Sequence, residues 1–251
     1  MHIPLNTRYR VFSLFSRQVM PTFVQNLDMS IAAIIDHTVL KPTVLLSDIE
    51  QVCAEAKEYG FASVCVPPNF VKHAKKHTAG SAVKVATVIG FPFGYSAVEA
   101  KIAEILLAMV DGADELDMVI NIAAIKNNDW EYLANEINHI MPIVKQQNKI
   151  IKIIIESGVL TDEEIIRCCE LYGAAGIDYL KTSTGYAEKG ASVHAVSLFR
   201  KHLPAHVQIK ASGGIRDYAF AAELVKAGAT RLGCSASVAI AKGAAAEAGN
   251  Y

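Results

Sequence analysis

Eight short runs of apolar, often β-branched residues recur along this chain, each followed by a longer amphipathic stretch. They cover residues 31–36, 61–66, 83–90, 115–120, 150–156, 177–181, 207–211 and 230–233. Most show no apolar–polar alternation, the pattern of strands buried on both faces. The intervening stretches carry helix-start signals: Ser47-Asp48 and Thr161-Asp162-Glu163-Glu164 combine a capping side chain with acids in the first turn. Glycine closes several of them, as at Gly60 before Phe61 and Gly228 before Ala229. Strand, helix, strand in this rhythm predicts parallel βαβ units, because parallel neighbours need a crossover and a helix supplies it.

Eight such units predict an α/β protein built as a single (β/α)8 barrel of the TIM type. An open doubly wound sheet is the alternative, but no GxGxxG follows the first run. At 251 residues and 52% hydrophobic, the chain can bury one core of this size. No Pro-, Gly- or Ser-rich linker divides it, so the barrel is expected over residues 29–251. Residues 1–28 stand apart. Arg8, Arg10 and Arg17 occur there with no acid before Asp28, a pattern shared with mitochondrial transit peptides. They read as a dispensable extension.

The formal net charge of −1, with both signs mixed, offers no field for nucleic acid or an anionic membrane. No apolar run approaches the ~18–20 residues that span a bilayer. Five cysteines without a CxxC pair or secretory signal fit a reducing cytoplasm. His73 and His77 have the spacing of a metal-binding pair. They lie among Lys72, Lys75 and Lys76 with no carboxylate nearby in sequence, so they read as a solvated helix face.

Two lysines break the apolar pattern where it matters chemically. Lys181 ends the sixth run and Lys210 the seventh, each just ahead of a loop of Gly, Ser and Thr. Facing one cavity, each ammonium would lower the other's pKa, and a neutral lysine is a nucleophile for carbonyl carbon. The other strand ends also carry polar or reactive groups: Asp36, Cys65, Thr87, Asp117, Glu156 and Ser235. Unless paired, ionisable groups enter apolar strands at a cost on the order of several kcal/mol each. Their recurrence at one rim points to a shared site, with a polar plug of the barrel mouth as the bland alternative.

Within the fourth run, Asp117 shares a face with Val119 and Asn121 and reads as the ion partner of a lysine or as an acid/base. Asp114 and Glu115 precede the strand and are expected to face water. Asp36 reads equally as the cap of a turn, and Cys65 as a packed residue, since no basic residue adjoins it. Gly213, Gly214 and Arg216 after the seventh run, with Gly233 and Ser235 at the eighth, read as a phosphate grip of the kind barrels place there.

These segments match a known family. Asp36-His37-Thr38-Val39-Leu40-Lys41-Pro42, Lys84-Val85-Ala86-Thr87-Val88-Ile89-Gly90-Phe91-Pro92-Phe93-Gly94 and Glu115-Leu116-Asp117-Met118-Val119-Ile120-Asn121 resemble 2-deoxyribose-5-phosphate aldolase. So do residues 152–157, Lys181-Thr182-Ser183-Thr184-Gly185 and Lys210-Ala211-Ser212-Gly213-Gly214-Ile215-Arg216. The resemblance implies a Schiff base on Lys181 and a proton relay of Lys210 with Asp117. It also implies a sugar-phosphate substrate held near Thr182, Gly185, Gly213, Gly214, Gly233 and Ser235, without cofactor or metal. It implies breakdown of deoxyribose phosphate, and a homo-oligomer, dimer or tetramer, is expected. Ala236 stands where many relatives have a second serine. The C-terminal Tyr251 is a candidate tail proton donor by the same resemblance. A different Schiff-base aldolase and a non-catalytic sugar-phosphate-binding barrel remain the rival readings.

Overall fold

The structure, a computed structural model, describes residues 31–243. Residues 1–28 and Tyr251 lie outside the described residues. The strands are β1 (Ile35–Thr38), β2 (Ser63–Val66), β3 (Lys84–Ile89), β4 (Glu115–Val119), β5 (Ile150–Ile154), β6 (Tyr179–Lys181), β7 (Gln208–Ser212) and β8 (Arg231–Cys234). All pair in parallel in chain order, and β8 closes on β1 to give a barrel. The (β/α)8 expectation holds, and the open sheet is excluded by that closure.

Nine helices occur among the described residues: α1 (Leu46–Tyr59), α2 (Val71–His77), α3 (Val98–Val110), α4 (Ile122–Lys126), α5 (Trp130–Gln146), α6 (Asp162–Ala174), α7 (Val193–His202), α8 (Tyr218–Ala227) and α9 (Ser237–Ala241). At α6 the Thr161 hydroxyl accepts from Glu164 N–H at 3.2 Å, and the Glu164 carboxylate accepts from Thr161 N–H at 2.8 Å. This reciprocal box satisfies two backbone donors that the first turn leaves free. At α1 the cap is Leu45, two residues before Ser47, and Asp48 accepts from Leu45 N–H at 3.1 Å. The first run also divides: Ile31–Ile34 forms a 3-10 turn, and the strand begins only at Ile35. Apolar character alone does not separate the two, because Ile34 is buried under either assignment.

Apolar side chains form two clusters. The larger lies between sheet and helices, with Ile35, Val64, Val85, Leu116, Ile153, Leu180 and Ile209 from strands against Ile105, Ile137, Phe199 and Leu224 from helices. A fully buried Val, Leu or Ile contributes roughly 1.5–3 kcal/mol, so this layer supplies the bulk of the fold's stability. The smaller cluster sits within the barrel: Leu40, Cys65, Ala86 and Val88, with Phe91 packed on it. Charged side chains from the other strands share the lumen with it.

Gly94 closes the loop after β3. Its φ is +73°, and a Cβ there would fall 1.7 Å from the Ile120 carbonyl oxygen. Only glycine lets this loop press onto the exit of β4.

A buried ion pair ties the outer layer to the barrel. Lys101 of α3 donates to Glu136 of α5 at 2.6 Å and to the Val119 carbonyl of β4 at 2.8 Å. Burial pushes the lysine down and the carboxyl up, each toward its neutral form. Removing one partner strands the other without water. In urea unfolding, Glu136→Ala is therefore expected to lose about 3–5 kcal/mol, while Lys101→Met with Glu136→Leu restores most of it. Equal loss in the single and double variants would show that the pair has no such role.

Candidate active site

Parallel register places the charged residues at matching depths. Lys181 is the direct partner of Lys210 across β6 and β7, and Asp117 is the partner of Lys152 across β4 and β5. Partners in register share a face of the sheet, and this face is the lumen. Asp36 from β1 and Arg231 from β8 complete the set, so six strands contribute to one network.

Asp117 is its hub. One carboxylate oxygen accepts from Lys181 at 2.7 Å and from Lys210 at 2.6 Å, and the other accepts from Lys152 at 2.8 Å. Lys210 also donates to Asp36 at 2.5 Å. Asp36 further accepts from Arg231 at 2.6 Å and from the Ser63 hydroxyl at 2.7 Å. Glu115 lies 2.5 Å from Lys152 and 3.1 Å from Arg231. All but Arg231 are buried.

Lys152, Lys181, Lys210 and Arg231 thus face three carboxylates, Asp36, Glu115 and Asp117. One cation is in excess. A unit charge about 4 Å away contributes roughly 4 kcal/mol at an effective dielectric of about 20, enough to decide which ammonium loses its proton most easily. The choice falls on Lys181. Burial pushes its ammonium below the ordinary lysine value; Asp117 opposes the shift and Lys210 adds to it. Burial acts on Lys210 in the same direction, but Asp117 and Asp36 override it and the net shift is upward. At Lys152 the burial effect is likewise overridden, by Asp117, Asp36 and Glu115. Burial would raise Asp117, yet Lys152, Lys181 and Lys210 hold its carboxyl well below the usual carboxylate range. The expectation that each lysine lowers the other is therefore corrected: Lys210 lowers Lys181, but its own carboxylates hold it protonated.

The remaining rim residues fall into three groups. Cys65 faces the lumen, but burial pushes its thiol up to about 11, which suits packing and not attack. Thr87 alternates with the lumen residues Ala86 and Val88, so it faces the helix layer, where its hydroxyl donates to the Val66 carbonyl at 2.8 Å. Its placement at the site is corrected on that ground. Glu156 adopts φ +52°, and its carboxylate holds Thr184 through the backbone N–H and the hydroxyl. It fixes the β6 loop, burial pushes its carboxyl up, and the Lys181 charge opposes that shift.

Gly214, Arg216, Gly233 and Ser235 line one narrow cleft with Ile215 and Cys234. Gly185 and Gly213 lie apart from it and pack against each other: a Cβ on Gly213 would sit 3.4 Å from Gly185 Cα. Gly233 has a second reason to lack a side chain, since its Cβ would fall 3.1 Å from Cε of Lys210. Thr182 bridges to β7, accepting from Ser212 N–H at 3.1 Å and donating to the Ser212 carbonyl at 3.2 Å. Tyr186 reaches across the mouth to donate to the Leu40 carbonyl at 2.8 Å, its ring edge-on to Phe91.

Sequence reasoning missed Glu115, Lys152 and Arg231 as members of the site. Glu115, expected in water, opens β4, is 1% exposed, and points inward two residues before Asp117. Asp114 is partly exposed and paired with Lys75 at 2.7 Å. Lys152 carried a usable signal, a lysine in the middle of Ile150-Ile151-Lys152-Ile153-Ile154.

Titration of ε-13C-lysine by NMR reads the imbalance directly. Lys181 is expected to titrate below the ordinary lysine range, and Lys210→Met is expected to move it upward, because a neighbouring cation is gone and Asp117 has one claimant fewer. The neutral fraction of Lys181 at neutral pH then falls. An unmoved Lys181 signal in that variant would remove the coupling between the two lysines.

Similarity to known proteins extends over almost the whole barrel. Residues 30–246 match the model of the DeoC/LacD family of aldolases. The chain is 48% identical over 216 residues to the deoxyribose-phosphate aldolase of Thermococcus kodakarensis, covering 85% of this chain and 96% of the relative. It is 46% identical over 213 residues to that of Caldanaerobacter subterraneus subsp. tengcongensis, covering 84% and 92%. The structure of deoxyribose phosphate aldolase from Aeropyrum pernix, described as a tetramer, superposes with a TM-score of 0.79 at 30% identity over 84% of this chain and 89% of that one. With the family model spanning most of the barrel and close relatives covered almost end to end, the chain belongs to the DeoC/LacD family of aldolases.

Proposed function

We propose that this chain reversibly cleaves 2-deoxy-D-ribose 5-phosphate to D-glyceraldehyde 3-phosphate and acetaldehyde through a Schiff base on Lys181. The carrying observation is that Lys181 alone among the lumen lysines is shifted toward the neutral amine, while Lys152 and Lys210 are held protonated.

The charge count gives the reaction its direction. Neutral Lys181 leaves the network balanced, with three cations to three carboxylates. Attack on the C1 aldehyde, uptake of one proton from solvent water and loss of water produce an iminium, which restores the excess positive charge at the reacting carbon. Breaking the C2–C3 bond sends its electrons into that iminium and yields a neutral enamine, so bond cleavage relieves the imbalance. The C3 hydroxyl proton must leave and C2 must later gain one. We assign both transfers to a water hydrogen-bonded alongside the Asp117–Lys210 pair, whose direct 2.6 Å contact lies beside Lys181. Protonation at C2 regenerates the iminium, and its hydrolysis releases acetaldehyde and Lys181.

The cleft of Gly214, Arg216, Gly233 and Ser235 supports recognition of the phosphate: Arg216 and Ser235 are exposed at it, and glycine backbone can approach an anion closely. The pathway is the breakdown of deoxyribose phosphates. All five cysteines are free and buried, in keeping with a reducing cytoplasm. Exposed Leu106, Leu107 and Val110 on α3 favour self-association into a dimer or tetramer. No helix among the described residues is long and apolar enough to cross a membrane.

Borohydride reduction in the presence of deoxyribose 5-phosphate, followed by mass spectrometry, is expected to place the adduct on Lys181. Lys181→Leu should abolish it; full-yield trapping in that variant would assign the chemistry elsewhere. An adduct from a larger donor alone would favour a different Schiff-base aldolase, and no adduct at all would favour a binding protein. Ser235→Ala is expected to raise KM for the phosphorylated sugar by roughly tenfold, about the 1.4 kcal/mol of a hydrogen bond to a charged group, and to spare unphosphorylated deoxyribose. Equal loss on both sugars would remove Ser235 from phosphate binding.

A further inference from the structure

A second cluster of metal-ligating side chains lies outside the lumen, on the helix layer. His73 and His77 are four residues apart on α2, so both rings project from one face, with centroids 4.5 Å apart. The sequence shows no carboxylate beside them, but packing of α1 on α2 brings Glu50 over the same face. Its Oε1 lies 3.3 Å from His73 Nε2 and 3.7 Å from His77 Nε2. Among the described residues this is the one group of three or more such side chains whose donor atoms all lie within 4.8 Å of one another.

Those distances suit a shared ion. With bonds of about 2.0–2.1 Å and tetrahedral angles, donor atoms around zinc stand roughly 3.4 Å apart. The two Glu50 distances bracket that value, and the two histidine donors lie within 4.8 Å of each other. Two imidazoles and one carboxylate favour zinc, cobalt, nickel or copper over magnesium or calcium, which take all-oxygen shells. The nearby lysines do not block approach. Lys75 is held by Asp114 at 2.7 Å, and Lys72 and Lys76 are exposed, one step around the helix from each histidine. His73, His77 and Glu50 are each partly or fully open to solvent, so an aqueous ion can enter.

We propose that Glu50, His73 and His77 bind a first-row transition-metal dication, with the fourth position left to water. None of the three touches the buried lysine network, so the ion takes no part in the carbonyl chemistry. Its effect is mechanical: it staples α1 to α2.

The test is calorimetric titration of zinc chloride into the full chain, made without a histidine tag and stripped by a chelator. Saturable binding of one equivalent is expected. Glu50→Gln, His73→Ala and His77→Ala each remove or weaken a direct ligand and should weaken it by at least about tenfold, no less than the loss of a mere supporting contact. Zinc should raise the melting temperature of the parent and not of these variants, and borohydride trapping on Lys181 should be unchanged in all of them. Absence of saturable binding overturns the proposal. So does parental affinity in any one of the three variants, which would place the ion on the cysteines or elsewhere.

Discussion

One carboxylate shared by three ammoniums governs this barrel. Asp117 cannot satisfy Lys152, Lys181 and Lys210 fully, and the two further carboxylates nearby, Asp36 and Glu115, are paired with Lys152, Lys210 and Arg231 instead of Lys181. Burial prevents water from making up the difference. The shortage settles on the lysine with the fewest partners, and that lysine is the nucleophile of the proposed reaction. Its reactivity is thus a property of the network's charge count, not of any one neighbour.

The fold tolerates this lumen because its stability is seated elsewhere. The broad apolar layer between strands and helices holds the barrel closed. Within the lumen, a small apolar cluster on β2 and β3 lies beside the charges. The proposed substrate would therefore meet both an ionic surface and the Cys65–Ala86–Val88 surface. The first can act on a carbonyl, while the second gives the carbon chain a surface that competes for no proton.

Much of this was legible in the chain. Eight apolar runs with capped helices between them specify parallel units, and closure follows from their number. Lys181, Lys210 and Asp117 stood out because charge at a strand end is conspicuous. What stayed hidden depends on closure itself. Asp36 and Lys210 are 174 residues apart and meet only because β8 joins β1. Arg231 at the start of a strand, and Glu115 after an acidic neighbour, both look solvated until the lumen is drawn. Thr87 misled for the opposite reason: its position along the strand was right and its face was wrong. At His73 and His77 the missing carboxylate comes from another helix, which no local pattern reveals.

The clasp between the first strand and the last two has a consequence for how the protein is made. Asp36 is among the earliest described residues to leave the ribosome, and Lys210 and Arg231 are among the latest. A nascent chain extended through β6 already carries Lys181 and Asp117, but nothing yet presses on that lysine from β7. The proposed nucleophile is thus left untuned until synthesis is nearly complete. On that proposal, the tuned amine and the closed barrel around it arrive together.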